Sequence, residues 1–204
     1  MDIYTLYKNL KKKYGQPQGQ WALWCKRPKT KEEREQVIIE SVLTQRANWK
    51  NVSYAISNLK NKELLSLEKI ALIKEDKLQE LIRPSGFYKV KAKRLKELCK
   101  FIINGCGGVE SAKKIPLEIM RKNLLSLNGI GEETADDILL YAFERPVFVI
   151  DEYTRRLVKR YNLTDKLSYK HLQEFFENSL GKKDYALYQD FHALIVIDGK
   201  EGDR

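Results

Sequence analysis

An all-α fold is what this sequence predicts. Apolar residues recur at helical spacing along most of its 204 residues, glycine-marked turns separate the runs, and no alternating stretch is long enough for a sheet. Residues 147–150 form the only β-like run. With 43% hydrophobic residues the chain can fill one sizeable core or two small ones, which sets it apart from disordered sequences.

From the N-terminus, Ile3, Leu6, Tyr7 and Leu10 mark an amphipathic helix. Lys8 and the lysines at 11–13 break any long apolar stretch, so neither a signal peptide nor a membrane span is expected. Trp21 and Trp24 precede the first helix of the core. Pro84, Ser85 and Gly86 suggest a tight turn between helices, followed by a helical face of Ala92, Leu95, Leu98, Cys99, Ile102 and Ile103 that ends at the glycines of 105–108. Residues 117–127 read as a further helix. Gly129 and Gly131 then bracket Ile130 in a turn too tight for side chains, and Glu132, Glu133 and Thr134 open a helix carrying Ile138, Leu139 and Ala142. After the β-like run, Asp151 begins a helix with Leu157, Val158 and Tyr161 on one side. Leu172, Phe175, Phe176 and Leu180 mark the next helix, Gly181 a turn, and Tyr188, Phe191, His192, Ile195 and Val196 the last.

Lys plus Arg number 38 against 28 acidic residues, a formal charge of +10. The excess favours a polyanionic partner, although lysine-rich surfaces also serve solubility, and charge alone does not choose between DNA and RNA. Cys25, Cys99 and Cys106 show no CxxC pairing, which suits a reducing cytosol and offers no cysteine metal site. His171 and His192 have no partner at ligand spacing and read as structural histidines.

Residues 124–157 concentrate the chemistry. Outward amides of Ile130, Gly131 and Glu132 at a helix start would form an anion site, and on a basic chain the anion is phosphate. A dinucleotide fingerprint is set aside, because Thr134 stands where a third glycine is needed and a helix, not a strand, leads into the turn. Asp151 reads equally as an N-cap and as a catalytic carboxylate, since an Asp accepting amide hydrogen bonds stays ionised near neutral pH.

LNGIGEETAD followed by VIDEYTRRL resembles the helix-hairpin-helix and catalytic aspartate of the endonuclease III superfamily of DNA glycosylases. VLTQRANWKNV (42–52) and IRPSGFYKVKAKRL (82–95) resemble the two segments with which these enzymes invade the duplex, and are most similar to the 3-methyladenine DNA glycosylase branch that lacks an iron–sulfur cluster. The resemblance spans about residues 36–200. It implies a six-helix domain at 27–145 that carries the hairpin, a second helical domain built from 1–26 and 146–204, and an active-site cleft between them.

The resemblance also assigns roles. Asp151 is the expected catalytic residue. Glu133 stands where bifunctional members keep a Schiff-base lysine, so the chain is expected to be monofunctional, with Glu133 either lining the pocket or simply favoured at a helix start. Trp21 and Trp24 either stack on the damaged base or anchor domain packing. Gln45 fills the gap left by the flipped nucleotide, while Pro84 and Ser85 wedge the opposite strand or form a plain turn. Gly129, Ile130, Gly131 and Thr134 contact DNA. The backbone carbonyls of Leu125, Leu127 and Ile130 hold a K+ or Na+ ion, or water in its place. Lys200 takes a structural part or is an exposed tail lysine. The tail FHALIVIDGKEGDR has no cysteine, so no iron–sulfur cluster and no other required cofactor is expected.

The expected activity is base excision repair by hydrolysis of the N-glycosidic bond of a flipped, damaged base, an alkylated purine such as 3-methyladenine first. Uracil, hypoxanthine or thymine are alternatives within the same fold. A non-catalytic helix-hairpin-helix DNA-binding protein would keep the glycines but needs no acid at position 151. The expected partner is double-stranded DNA containing a damaged base, for a cytoplasmic monomer with no membrane association.

Overall fold

The computed structural model describes residues 2–181 and 183–202, and among these it is all-α, with no strand. The chain divides into two compact units, one of Met1–Arg27 with Leu139–Arg204 and one of Pro28–Ile138. No helix among the described residues is long and apolar enough to cross a membrane.

The terminal unit opens with α1 (Ile3–Tyr14), capped by Asp2, and the short α2 (Trp21–Trp24). The central unit runs through α3 (Lys31–Leu43), α4 (Trp49–Asn61), α5 (Leu67–Leu72), α6 (Glu75–Ile82), α7 (Tyr88–Lys100), α8 (Val109–Ala112), α9 (Leu117–Leu125) and α10 (Glu132–Asp137). α3 starts with a capping box, Thr30 accepting the Glu33 N–H while the Glu33 side chain accepts the Thr30 N–H. Its Val37, Ile38, Ile39, Val42 and Leu43 are fully buried, which makes it the core of this unit. Arg121 on α9 grips the fully buried Asp136 of α10 through two hydrogen bonds of 2.7 and 3.0 Å, and so fixes the angle at which the two hairpin helices meet.

A π segment, Ile138–Ala142, continues α10 into the terminal unit. The run at 147–150 is extended and buried, as its composition predicts, but it pairs with side chains of α12 (Tyr169–Leu180) instead of with a strand. Glu177 accepts the Phe148 N–H at 2.9 Å, Gln173 donates to the Phe148 carbonyl at 2.7 Å, and the Tyr169 hydroxyl accepts the Ile150 N–H at 3.4 Å. That is how buried extended backbone is satisfied without a sheet. Phe148 also stacks on Phe176 with ring centroids 4.6 Å apart.

α11 (Glu152–Arg160) and α13 (Tyr185–Gly202) complete the unit. Two aspartates on α13 collect cations from distant parts of the chain. Asp190 accepts from Lys11 at 2.6 Å and Arg27 at 2.9 Å, and Asp198 from Arg160 at 2.6 Å and the Tyr14 hydroxyl at 2.8 Å. Gly199 lets α13 lie directly on α11, since a Cβ there would fall 2.4 Å from the Tyr153 ring.

Because Asp136 is buried against the Arg121 guanidinium, Arg121→Met should cost about 3–5 kcal/mol, the range for removing one partner of a buried ion pair. Replacing both, as Arg121→Met with Asp136→Leu, should recover part of that loss. Urea unfolding midpoints of the two variants check the difference.

Candidate active site

Asp151 emerges from the buried extended run and caps α11. Its Oδ1 accepts the Thr154 N–H at 2.7 Å. Its Oδ2 lies 3.4 Å from His192 Nε2, within ion-pair range, although the ring nitrogen is not aligned for a hydrogen bond. Burial by itself raises the Asp151 carboxyl pKa. The His192 charge and the Thr154 hydrogen bonds outweigh that effect and hold it below its ordinary value of 3.8. The result is a carboxylate with 13% side-chain exposure that is ionised at neutral pH.

His192 is set by the π segment. Its Nδ1 lies 2.7 Å from the Tyr141 hydroxyl, which also reaches the Gln189 carbonyl at 3.2 Å, while the Gln189 amide donates to the Leu140 carbonyl at 2.7 Å. With the hydroxyl hydrogen directed to Gln189, Nδ1–H donates to Tyr141, and it is the charged ring, with a proton on Nε2 as well, that attracts Asp151. Trp21 and Trp24, both buried, meet edge to face at 5.6 Å. Trp21 also lies 5.8 Å from the His192 ring and Trp24 5.0 Å from that of Tyr141. These rings and Asp151 therefore form one continuous cluster in the terminal unit. Lys200 belongs to its margin: its amine donates to Gln20 at 3.1 Å, and burial lowers its pKa against the opposing pull of Asp151.

The hairpin lies in the central unit, between α9 and α10. Gly129 has φ +75°, and a Cβ there would fall 1.9 Å from Arg94 Nε. Gly131 differs: its backbone is extended and the space beside it is open. Side chains are therefore excluded at Gly129 only, and the room at Gly131 is available to an approaching ligand. The Ile130 N–H also departs from expectation, since it donates to the Leu127 carbonyl at 3.2 Å and does not point outward. The Gly131 and Glu132 amides donate to no backbone carbonyl among the described residues. Glu133 is exposed in the first turn of α10.

Gln45 is tied to this hairpin. Its amide nitrogen donates to the Gly129 carbonyl at 3.1 Å and to the Thr134 hydroxyl at 3.0 Å, and its oxygen accepts from Arg94 at 2.9 Å. Ser85 is 1% exposed with its hydroxyl committed to the Ile82 carbonyl, so it presents no side chain to solvent, while Pro84 is half-buried beside it. The exposed large apolar residue of this turn is Phe87, at 65%, held at φ +47° directly after Gly86 at φ +70°. Arg94, Tyr141 and Phe87 are residues at these two clusters to which sequence reasoning assigned no role, and His192 was read only as a structural histidine. For Phe87 a signal was present in the large aromatic that follows a turn glycine.

Gly129→Ala should destabilise the fold by more than about 1 kcal/mol, because an L-residue must adopt a left-handed conformation and displace Arg94. Gly131→Ala should stay within about 0.5 kcal/mol of wild type. Thermal unfolding of the two variants reads the contrast. The depressed Asp151 pKa favours folding above the ordinary carboxyl range, and that contribution is lost as pH falls through the folded-state value. His192→Phe removes the largest lowering influence, so the Asp151 carboxyl 13C resonance, titrating below 3.8 in the wild type, should titrate at higher pH in the variant.

Residues 39–182 match the HhH-GPD superfamily of base excision DNA repair proteins. The chain is 46% identical over 197 residues to a putative DNA repair glycosylase of Methanocaldococcus jannaschii, covering 95% of this chain and 85% of that protein. It is 30% identical over 128 residues to endonuclease III of Thermotoga maritima, 61% of this chain and 54% of that one. The crystal structure of H. pylori 3-methyladenine DNA glycosylase (MagIII) bound to 1,N6-ethenoadenine superposes with a TM-score of 0.84 at 31% identity, over 99% of both chains. A helix-hairpin-helix, an ionised aspartate at the head of the following helix and this match together establish that the chain belongs to the HhH-GPD superfamily, as a DNA repair glycosylase.

Proposed function

We propose that this glycosylase is monofunctional and removes alkylated purines, 3-methyladenine among them, with Asp151 as its catalytic carboxylate. The observation that carries this reading is a charged Asp151, largely withdrawn from water and joined through His192 to the buried rings of Trp21, Trp24 and Tyr141. Likeness to a solved 3-methyladenine DNA glycosylase supports the substrate class.

A stacked base hides its glycosidic bond, so the nucleotide is first extruded, at a cost of about a few kcal/mol that is smaller for a damaged base. As the C1′–N bond lengthens, its electron pair leaves with the base and the sugar becomes oxocarbenium-like. The Asp151 carboxylate stabilises that charge and accepts a proton from water as the C1′–O bond forms. An alkylated purine already carries positive charge, so it leaves with little acid assistance, and electron-rich indole faces favour it over a neutral base. Glu133 offers no amine, so no Schiff base forms at that position.

Gln45 fills the vacated stack on this reading, and Phe87 with Pro84 takes the wedge role, since Ser85 is committed inside the protein. The open face at Gly131, with the Gly131 and Glu132 amides, receives phosphate, while the buried Thr134 holds Gln45 beside it. The carbonyls of Leu125, Leu127 and Ile130 would hold a monovalent cation that adds positive charge beside that phosphate. Their fit is supported by the Leu125 and Ile130 carbonyls, on which no turn or cap hydrogen bond ends among the described residues.

The test is a set of duplexes each carrying one altered base, methylated purine, 1,N6-ethenoadenine, hypoxanthine, uracil or G-opposed thymine, assayed with and without hot alkali. Alkali-dependent breaks at methylated purines that fall by at least about a thousandfold in Asp151→Asn are the expected result, the scale of losing a group that stabilises the transition state. Breaks only at uracil, hypoxanthine or thymine would reassign the substrate, and breaks without alkali would refute the monofunctional reading.

A further inference from the structure

Lys91 is the most unusual charged group in the central unit. It lies in the first turns of α7 with 1% exposure, and among the described residues no carboxylate is within ion-pair distance of its amine. Burial, followed by the nearby Arg94 charge, pushes its pKa down to about 8. An ammonium withdrawn from water without a counter-charge is costly, and a methionine would fill the same volume without that cost.

The amine has two short hydrogen bonds. It donates to the Leu43 carbonyl at 2.8 Å and to the Ser85 carbonyl at 2.7 Å. Leu43 is the last residue of α3, where carbonyls lack helical partners and a cation is favoured by the helix dipole. Gln45 follows two residues later. Ser85 closes the 3-10 turn at Arg83–Ser85, and Phe87 follows two residues after it. One buried amine thus joins the backbones that carry the two segments assigned to DNA invasion, although these are some forty residues apart in sequence. A turn further along the same helix, Arg94 holds the Gln45 side chain itself.

We infer that Lys91 is a positioning residue that keeps the Gln45 and Pro84–Phe87 segments in fixed register, so that they enter the duplex together when a paired nucleotide is extruded. The inference rests on the DNA-invasion roles proposed above for Gln45 and Phe87. A preorganised pair enters a stack without the cost of first ordering each segment. A purely structural lysine would support the fold and affect every substrate alike.

The experiment uses an oligonucleotide with a single adenine, methylated with dimethyl sulfate and annealed to a complement bearing either thymine or a tetrahydrofuran abasic analogue opposite that adenine. Single-turnover release of 3-methyladenine is measured for wild type and Lys91→Met, with Lys91→Gln as a second variant should the first not fold. Extrusion of a paired base costs about a few kcal/mol, and each 1.36 kcal/mol of lost assistance is tenfold in rate. The expected result is therefore a loss of about tenfold or more opposite thymine, and of less than about threefold opposite tetrahydrofuran. Equal losses on both duplexes, no loss on either, or failure of both variants to fold would overturn the inference by making Lys91 a structural residue or a dispensable one. Absence of release by the wild type would instead refute the proposed substrate, a result distinguishable from any difference between variants.

Discussion

A carboxylate that must remain charged while out of water is the constraint on which the terminal unit depends. Asp151 meets it with three contributions from different parts of the chain: the Thr154 N–H at the head of α11, the His192 imidazole from α13, and the positive end of the α11 dipole. Each contribution requires a helix held in place. α11 is fixed by the close approach of Tyr153 to Gly199, and α13 by the cations gathered at Asp190 and Asp198. The entry of Asp151 is fixed by the extended run whose backbone is satisfied by α12 side chains. What resembles a strand in sequence is therefore a rigid lead-in to the carboxylate.

The π segment at Ile138–Ala142 serves the same centre. Gln189 takes up the Leu140 carbonyl, and the Tyr141 hydroxyl beside it reaches His192 Nδ1, which sets the ring so that Nε2 faces Asp151. Wide helical turns of this kind leave backbone groups offset from their usual partners, and a buried side chain then has to complete them. Here that completion and the orientation of His192 are one network.

Much of this was legible in the sequence because it is written locally. Helical periodicity placed the helices, the position of Asp151 before an amphipathic run identified its cap, and the glycine pair located the hairpin. The turn geometry was legible only in part, since Gly129 requires its left-handed backbone whereas Gly131 is extended with open space beside it. The contacts of His192 and Arg94 were not legible, because their partners lie about forty to fifty amino acids away on other elements and no spacing rule links them. Lys91 was hidden for a different reason. In a basic, lysine-rich stretch it is indistinguishable from its solvated neighbours until its burial is known.

In the central unit the hairpin and the segment that carries Gln45 are joined by hydrogen bonds. Gln45 uses both ends of its amide within the protein, donating to Gly129 and Thr134 at the hairpin and accepting from Arg94. A side chain that enters a base stack must exchange some of these bonds for bonds to DNA, and such an exchange is close to neutral when every lost partner is replaced. On the role proposed for Gln45, the protein would store it in a satisfied, ordered conformation at little energetic disadvantage to extrusion. Because two of those partners belong to the hairpin, any movement of Gly129 or Thr134 would change the bonds that retain Gln45. If the hairpin and Gln45 act as proposed, phosphate binding and release of the plug would be coupled through these hydrogen bonds.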